Sequence, residues 1–229
     1  MMMILTNRRA ALVAVVNTML SLSGDIHWYD GSTLHPTSLE DFICTYTPKA
    51  YRDAVAATGK FLYRGESSLH KPTILFPEPD LLVADTYDDP GALIYFQCLE
   101  KRLKSSEKVL ARPSLGHIGT SDKIEAARWG EPVTIWPIGG TLSFVWPRHE
   151  KVFFPSPTHC PSDELAVDYG LALALELGHE VLFATVPPND NEAPKSPFLA
   201  VPAQYELALV ELAKKPEFIS TDASELKLS

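Results

Sequence analysis

Residues 60–76, KFLYRGESSLHKPTILF, hold two short β-type runs, and the first of them ends in an arginine. Phe61, Leu62 and Tyr63 lead straight into Arg64-Gly65-Glu66-Ser67. Pro72 then breaks the segment before Thr73-Ile74-Leu75-Phe76, a second strand pattern. An arginine on the last residue of a buried strand has its guanidinium held at a sheet edge, where the fork suits a phosphate. The same position also suits a structural ion pair with Glu66 or a nearby aspartate, and the residues alone leave both readings open.

Upstream of this stretch the pattern is helical. Residues 7–23 read as an amphipathic helix stopped by Gly24, with Asn17 and Thr18 interrupting an apolar run too short to span a bilayer. Arg8-Arg9 before AALVAVV gives the same run a superficial likeness to a signal peptide. Ser38-Leu39-Glu40-Asp41 looks like a helix start, and residues 48–58 predict a second short helix with a proline in its first turn and Gly59 after its end. Residues 1–58 are therefore read as a helical extension, ahead of a domain over 59–229.

Downstream, Asp88-Asp89-Pro90 opens a helix over 91–105 with a stripe of Leu93, Ile94, Phe96, Cys98, Leu99 and Leu103. Gly119-Thr120-Ser121 ends a short strand, and a short helical piece over 122–129 follows. Ser121 suits its N-cap, with Asp122 favouring its positive end. Three β-type runs at 133–138, 142–146 and 152–154 come next, then a helix over 162–177 that stops at Gly178. Glu180-Val181-Leu182-Phe183 reads as a strand, residues 186–197 as a proline-rich loop, and 203–210 as a helix by propensity. As a strand, that last piece would place Gln204 and Glu206 on one face.

Composition narrows the function classes. The chain has 229 residues, 45% of them hydrophobic, enough for one sizeable core. A formal net charge of −9 disfavours a broad nucleic-acid footprint, which needs a basic face. Cys44, Cys98 and Cys160 make neither a C-x-x-C pair nor an even set, and His149, His159 and Cys160 fit no metal spacing. No G-x-S-x-G, phosphate-binding Gly-rich loop or H-E-x-x-H occurs.

Three pieces stand in order: Tyr63-Arg64-x-x-Ser67, Gly119-Thr120-Ser121 and Gln204-x-Glu206. Together they resemble the Arg–Ser–Glu class of mono-ADP-ribosyltransferases, which includes the catalytic subunits of cholera and pertussis toxins and the pierisin-like toxins. Glu66 stands where that class has Asp, the second Arg of its first motif is missing, and Gly119 replaces the first Ser of Ser-Thr-Ser. Pro216 and Ile219 are similar to residues that follow the glutamate motif. His179-Glu180-Val181-Leu182-Phe183 also looks like the glutamate strand, but Gly178 occupies the place of its first Gln or Glu, so Glu206 is preferred to Glu180.

The resemblance implies an α+β fold with two small, bent antiparallel sheets around an NAD cleft and flanking helices. It implies NAD as substrate. Arg64, with Gly65 beside it, would clamp the phosphates; Thr120 and Ser121 would line the site, Ser121 orienting the glutamate. Glu206 would face the ribose, and Gln204 would hydrogen-bond the acceptor. Trp129 would support the nicotinamide ring or sit in the core. A glutamine is no general base, so the acceptor implied is not arginine, and the acidic balance puts a protein ahead of nucleic acid. A toxin or effector role, secreted or cytoplasmic, is implied by the resemblance only. An NAD glycohydrolase and a non-catalytic interaction protein on a degenerate transferase fold are the other readings.

Overall fold

The computed structural model describes residues 27–28, 38–106, 109–154, 164–186, 196–216 and 218. The helix expected over 7–23, most of the loop at 186–197 and the pair His159 and Cys160 lie outside these residues.

Local signals set most element ends. Helix α1 (Leu39–Tyr46) starts where Ser38 Oγ accepts the Asp41 N–H at 3.0 Å, and α2 (Lys49–Thr58) ends on Gly59 in the left-handed conformation at φ 65°. Helix α3 (Pro90–Lys104) is capped by the Asp89 carboxylate, which accepts the Gly91 N–H at 2.7 Å. Its buried stripe is Ala92, Tyr95, Phe96, Leu99 and Leu103, while Ile94 points outward. Strand β1 (His27–Trp28) precedes these helices, and β2 (Leu62–Glu66) and β3 (Thr73–Leu75) lie between α2 and α3. Beyond α3 follow β4 (His117–Thr120), α4 (Lys123–Ala126), β5 (Glu131–Pro137), β6 (Thr141–Pro147), β7 (Leu165–Val167), α5 (Leu171–Leu177), β8 (Glu180–Val186), β9 (Phe198–Pro202) and α6 (Glu206–Ala213).

The architecture is α+β. Nine strands join in one sheet, ordered β1-β3-β9-β5-β2-β4-β8-β6-β7. All neighbours are antiparallel except the edge pair β1 and β3. In place of two expected small sheets, the hydrogen-bonded ladder is continuous, although it narrows to one pair, Tyr63 with Thr120, between β2 and β4. Beside that seam the Tyr51 hydroxyl donates to Ile135 O and accepts from Leu62 N, both at 2.9 Å. A side chain thus fills the ladder position between two paired residues, Leu62 and Ile135.

The main core gathers Tyr51, Phe61, Trp136, Phe183, Phe198 and Phe218 around the middle of the sheet. Each buried aromatic contributes about 2–3 kcal/mol through area removed from water. Helices α1 and α2, expected to form an extension, supply Phe42, Ile43, Tyr51 and Val55 to this core. A second cluster packs α3 against Val145, Leu182 and Ala184.

Three expected elements differ. The described part of the 162–177 segment begins as strand β7, turns at Asp168 (φ 49°) and Gly170 (φ 71°), and is helical only from Leu171. The cause is capture by β6: the Asp168 carboxylate accepts the Phe144 N–H at 2.7 Å and the Asp168 N–H donates to Phe144 O at 2.8 Å. Tyr169 is exposed. Residues 152–154 form no strand, and α4 is capped by the Asp122 carboxylate, not by Ser121. Residues 203–205 are a 3-10 turn running into α6, so Gln204 and Glu206 share no strand face.

Candidate functional site

Three adjacent strands bring the arginine, the hydroxyls and one glutamate together. Tyr63 pairs with Thr120, and Thr120 pairs with Glu180. Two inter-strand steps separate β2 from β8, so the Tyr63 and Glu180 backbones lie roughly 10 Å apart. Arg64 and Ser121 each stand one residue from this row.

Arg64 is on β2, two residues before that strand's end. Its Nε donates to Glu66 Oε1 at 2.9 Å, and its Nη2 lies 3.8 Å from Asp80 Oδ2. The side chain is 20% exposed, so this ion pair is partly shielded from water. Burial raises the Glu66 carboxyl pKa, Arg64 pulls it down, and Asp80 adds a further upward push. Gly65 is required for packing. A Cβ there would meet Trp129 C at 2.5 Å, Gly130 N at 2.6 Å and Ala126 O at 2.7 Å, all of them backbone atoms. The α4–β5 turn therefore rests directly on the residue after Arg64, while the Trp129 side chain stands 69% exposed, outside the core.

The two hydroxyls hold the turn that delivers Glu180. Ser121 Oγ donates to Leu175 O near the end of α5, and Thr120 Oγ1 faces Gly178 O at 3.4 Å while accepting the Asp122 N–H at 3.1 Å. Gly178, at φ 79°, makes the left-handed turn from α5 into β8. A Cβ on Gly119 would come 2.7 Å from Ile135 Cδ1, the mobile end of that side chain, and 3.3 Å from Tyr63 O.

Glu180 begins β8. Its N–H donates to Lys151 O, and its Oε2 accepts the Phe153 N–H at 2.7 Å. Burial pushes its pKa up to about 7, against the Phe153 N–H, which lowers it; the nearby Glu125 charge raises it further. Tyr87, whose hydroxyl donates to Leu81 O at 3.0 Å, feels the charges of both Asp80 and Glu180. Burial raises the Tyr87 pKa first, and the Asp80 and Glu180 charges both add to the rise. A buried carboxyl that titrates near neutrality is a pattern found at functional sites.

Glu206 lies elsewhere, at the start of α6. Its Oε1 accepts from the Tyr63 hydroxyl at 2.8 Å and its Oε2 from Lys123 Nζ at 2.5 Å, while the ammonium also sits 5.5 Å from the Tyr63 ring centroid. Burial, then the hydrogen bond to Glu206, keep the Tyr63 phenol protonated. Gln204 Nε2 donates to His70 O at 2.9 Å, between β2 and β3. Gln204 and Glu206 therefore have separate partners.

The roles of Asp80, Tyr87 and Lys123 carry no signal in the sequence, because each depends on a contact made across the fold. Among the described residues no group of three His, Cys, Asp or Glu can hold a metal, and no helix is long and apolar enough to cross a membrane. Compared with known proteins, the chain matches no family model, no curated protein and no solved structure.

Proposed function

We propose that the protein breaks the bond between nicotinamide and ribose in NAD and transfers the ADP-ribosyl group to a macromolecular acceptor, with Glu180 as the carboxylate facing the ribose. The observation that carries this reading is the row Tyr63–Thr120–Glu180, which puts the strand of Arg64, the strand that ends just before Ser121 and the strand of Glu180 side by side. That order matches the resemblance to the Arg–Ser–Glu transferases. The glutamate of that class begins a strand, as Glu180 does and Glu206 does not.

Bond breaking leaves positive charge on the ribose as nicotinamide departs with the bonding electrons. An ionised Glu180 stabilises that charge more than it stabilises the intact substrate. Arg64 exchanges part of its ion pair with Glu66 for the pyrophosphate, fixing the dinucleotide before cleavage. Thr120 and Ser121 hold the α5–β8 turn and so orient Glu180. The exposed Trp129 indole offers a stacking face at the rim. The acceptor reading remains a protein, given the net charge of −9.

Gly178 favours a second outcome. It occupies the position two residues before Glu180 and brings no side chain to activate or hold an acceptor. Water would then capture the ribosyl cation, releasing ADP-ribose, and the protein would be an NAD glycohydrolase.

Nicotinamide release from NAD tests the reading, with the purified parent beside Glu180→Gln and Glu206→Ala. The parent is expected to release nicotinamide, Glu180→Gln to lose about 10²-fold or more in kcat, and Glu206→Ala to keep kcat. Labelled ADP-ribose on protein in a cell extract separates transfer from hydrolysis. No release from the parent, with or without extract, leaves the non-catalytic interaction protein.

A further inference from the structure

Both oxygens of the Glu206 carboxylate are committed to partners on other elements. Oε1 takes the Tyr63 hydroxyl of β2, and Oε2 takes the Lys123 ammonium of α4. Tyr63 immediately precedes Arg64, and Lys123 follows Ser121 by two residues. A single side chain on α6 therefore ties together the two segments that carry the arginine and the hydroxyls.

We propose that Glu206 is a positioning residue that fixes Arg64 and Ser121 relative to each other by bracing Tyr63 and Lys123. The proposal rests on the NAD reading above. The brace has two legs. In the first, the Tyr63 ring is buried and its hydroxyl has Glu206 as acceptor, so the rotation of β2 at Arg64 is tied to α6. In the second, Lys123 opens α4, whose cap Asp122 is held in turn by Thr120 Oγ1. At its far end α4 leads into the turn whose backbone rests on Gly65. Displacing Lys123 thus disturbs the hydroxyl segment directly and the residue after Arg64 through the turn. Both legs are charge-assisted and partly shielded, the Glu206 side chain being 29% exposed. Glu180 lies two strands away, held by Lys151 and Phe153, and shares none of these partners. Substrate grip should depend on the brace more than the cleaving carboxylate does, because Lys151 and Phe153 hold Glu180 independently of Tyr63 and Lys123.

The test measures kcat and KM for nicotinamide release with Glu206→Gln, Tyr63→Phe and the double variant, alongside thermal midpoints. Glu206→Gln keeps an acceptor for Tyr63 and loses the charge that holds Lys123; Tyr63→Phe removes one hydroxyl and keeps the ring beneath the ammonium. Each single variant is expected to raise KM about tenfold, as a misplacement of an ångström or less would, with kcat within about threefold. The double variant is expected to be less than additive in KM, because the two groups serve one brace. Equilibrium binding of NAD to Glu180→Gln should match the parent's, which separates grip from cleavage. Parent-like KM in both single variants, with only a lowered midpoint, would show a purely structural bolt and overturn the inference while leaving the NAD reading intact. A kcat loss of about 10²-fold at unchanged KM in Glu206→Gln would make Glu206 the reacting carboxylate and overturn it as well. A parent that releases no nicotinamide removes both the NAD reading and the inference. Should the Glu206 variant fail to fold, Tyr63→Phe alone decides.

Discussion

Glu180 is where a single residue's environment makes the sharpest demand. Its pKa in the folded chain, about 7, lies above the ordinary carboxyl value of 4.5. The folded state therefore binds more protons than the unfolded state between those values, so this group's contribution to stability is full at low pH and is lost as pH rises through 7. Glu180→Gln keeps an acceptor for the Phe153 N–H and removes the buried charge. It should stabilise the protein at pH 8 by on the order of 2 kcal/mol and have little effect at pH 4.5, as read by urea denaturation at the two pH values. The same ionisation governs the proposed chemistry, so nicotinamide release should rise with pH through about 7. Stability and activity are thus expected to move in opposite directions over one pH window. Gly65 is the second sensitive position. An added methyl there meets three backbone atoms that no rotamer change can move, so Gly65→Ala should cost about 2–3 kcal/mol by chemical denaturation and weaken NAD binding by shifting Arg64.

Among the elements, those with a local signal were legible in the sequence, and those held by distant partners were not. Ser38, Asp89 and Gly59 act within one turn of the chain, and the helices they bound fall where the residues predict. The 162–177 segment has equally good helical spacing, yet β6 captures Asp168 from 24 positions away and turns its start into a strand. The same contrast explains the site. Arg64 with Glu66 is an i, i+2 pair on one strand, and the residues offered it as one of two readings. The preference for Glu206 over Glu180 rests on Gln204 standing two residues before the one and Gly178 before the other, a local pattern that cannot say that 206–213 is a helix. Nor can it say that Phe153, 27 positions away, lends Glu180 its N–H. Tyr51 shows how one helix depends on a strand register. Its hydroxyl serves Ile135 O and Leu62 N, both buried among strands, so Tyr51→Phe leaves a donor and an acceptor without their partner. A loss of about 2–3 kcal/mol in denaturant unfolding is expected, with β2 affected first.

The whole molecule is closed by its last described residue. Phe218 is fully buried in the main core, its ring edge-on to Trp136, and its carbonyl accepts from the buried Arg52 guanidinium of α2. Phe218→Ala should cost about 3–5 kcal/mol by cavity formation, a large part of the stability of a single domain. The readout is a fall in the denaturation midpoint with an unchanged slope.

The single bridged pair between β2 and β4 has a further consequence. Every other interior ladder of the sheet holds three to five pairs, so this is the line along which the least backbone bonding must be given up to open the sheet. Arg64 stands on one side of that line and Glu180 on the other. A ligand that engages both acts as a rivet across the weakest join, and its binding should slow amide hydrogen exchange at Tyr63, Thr120 and their neighbours far more than at the outer strands.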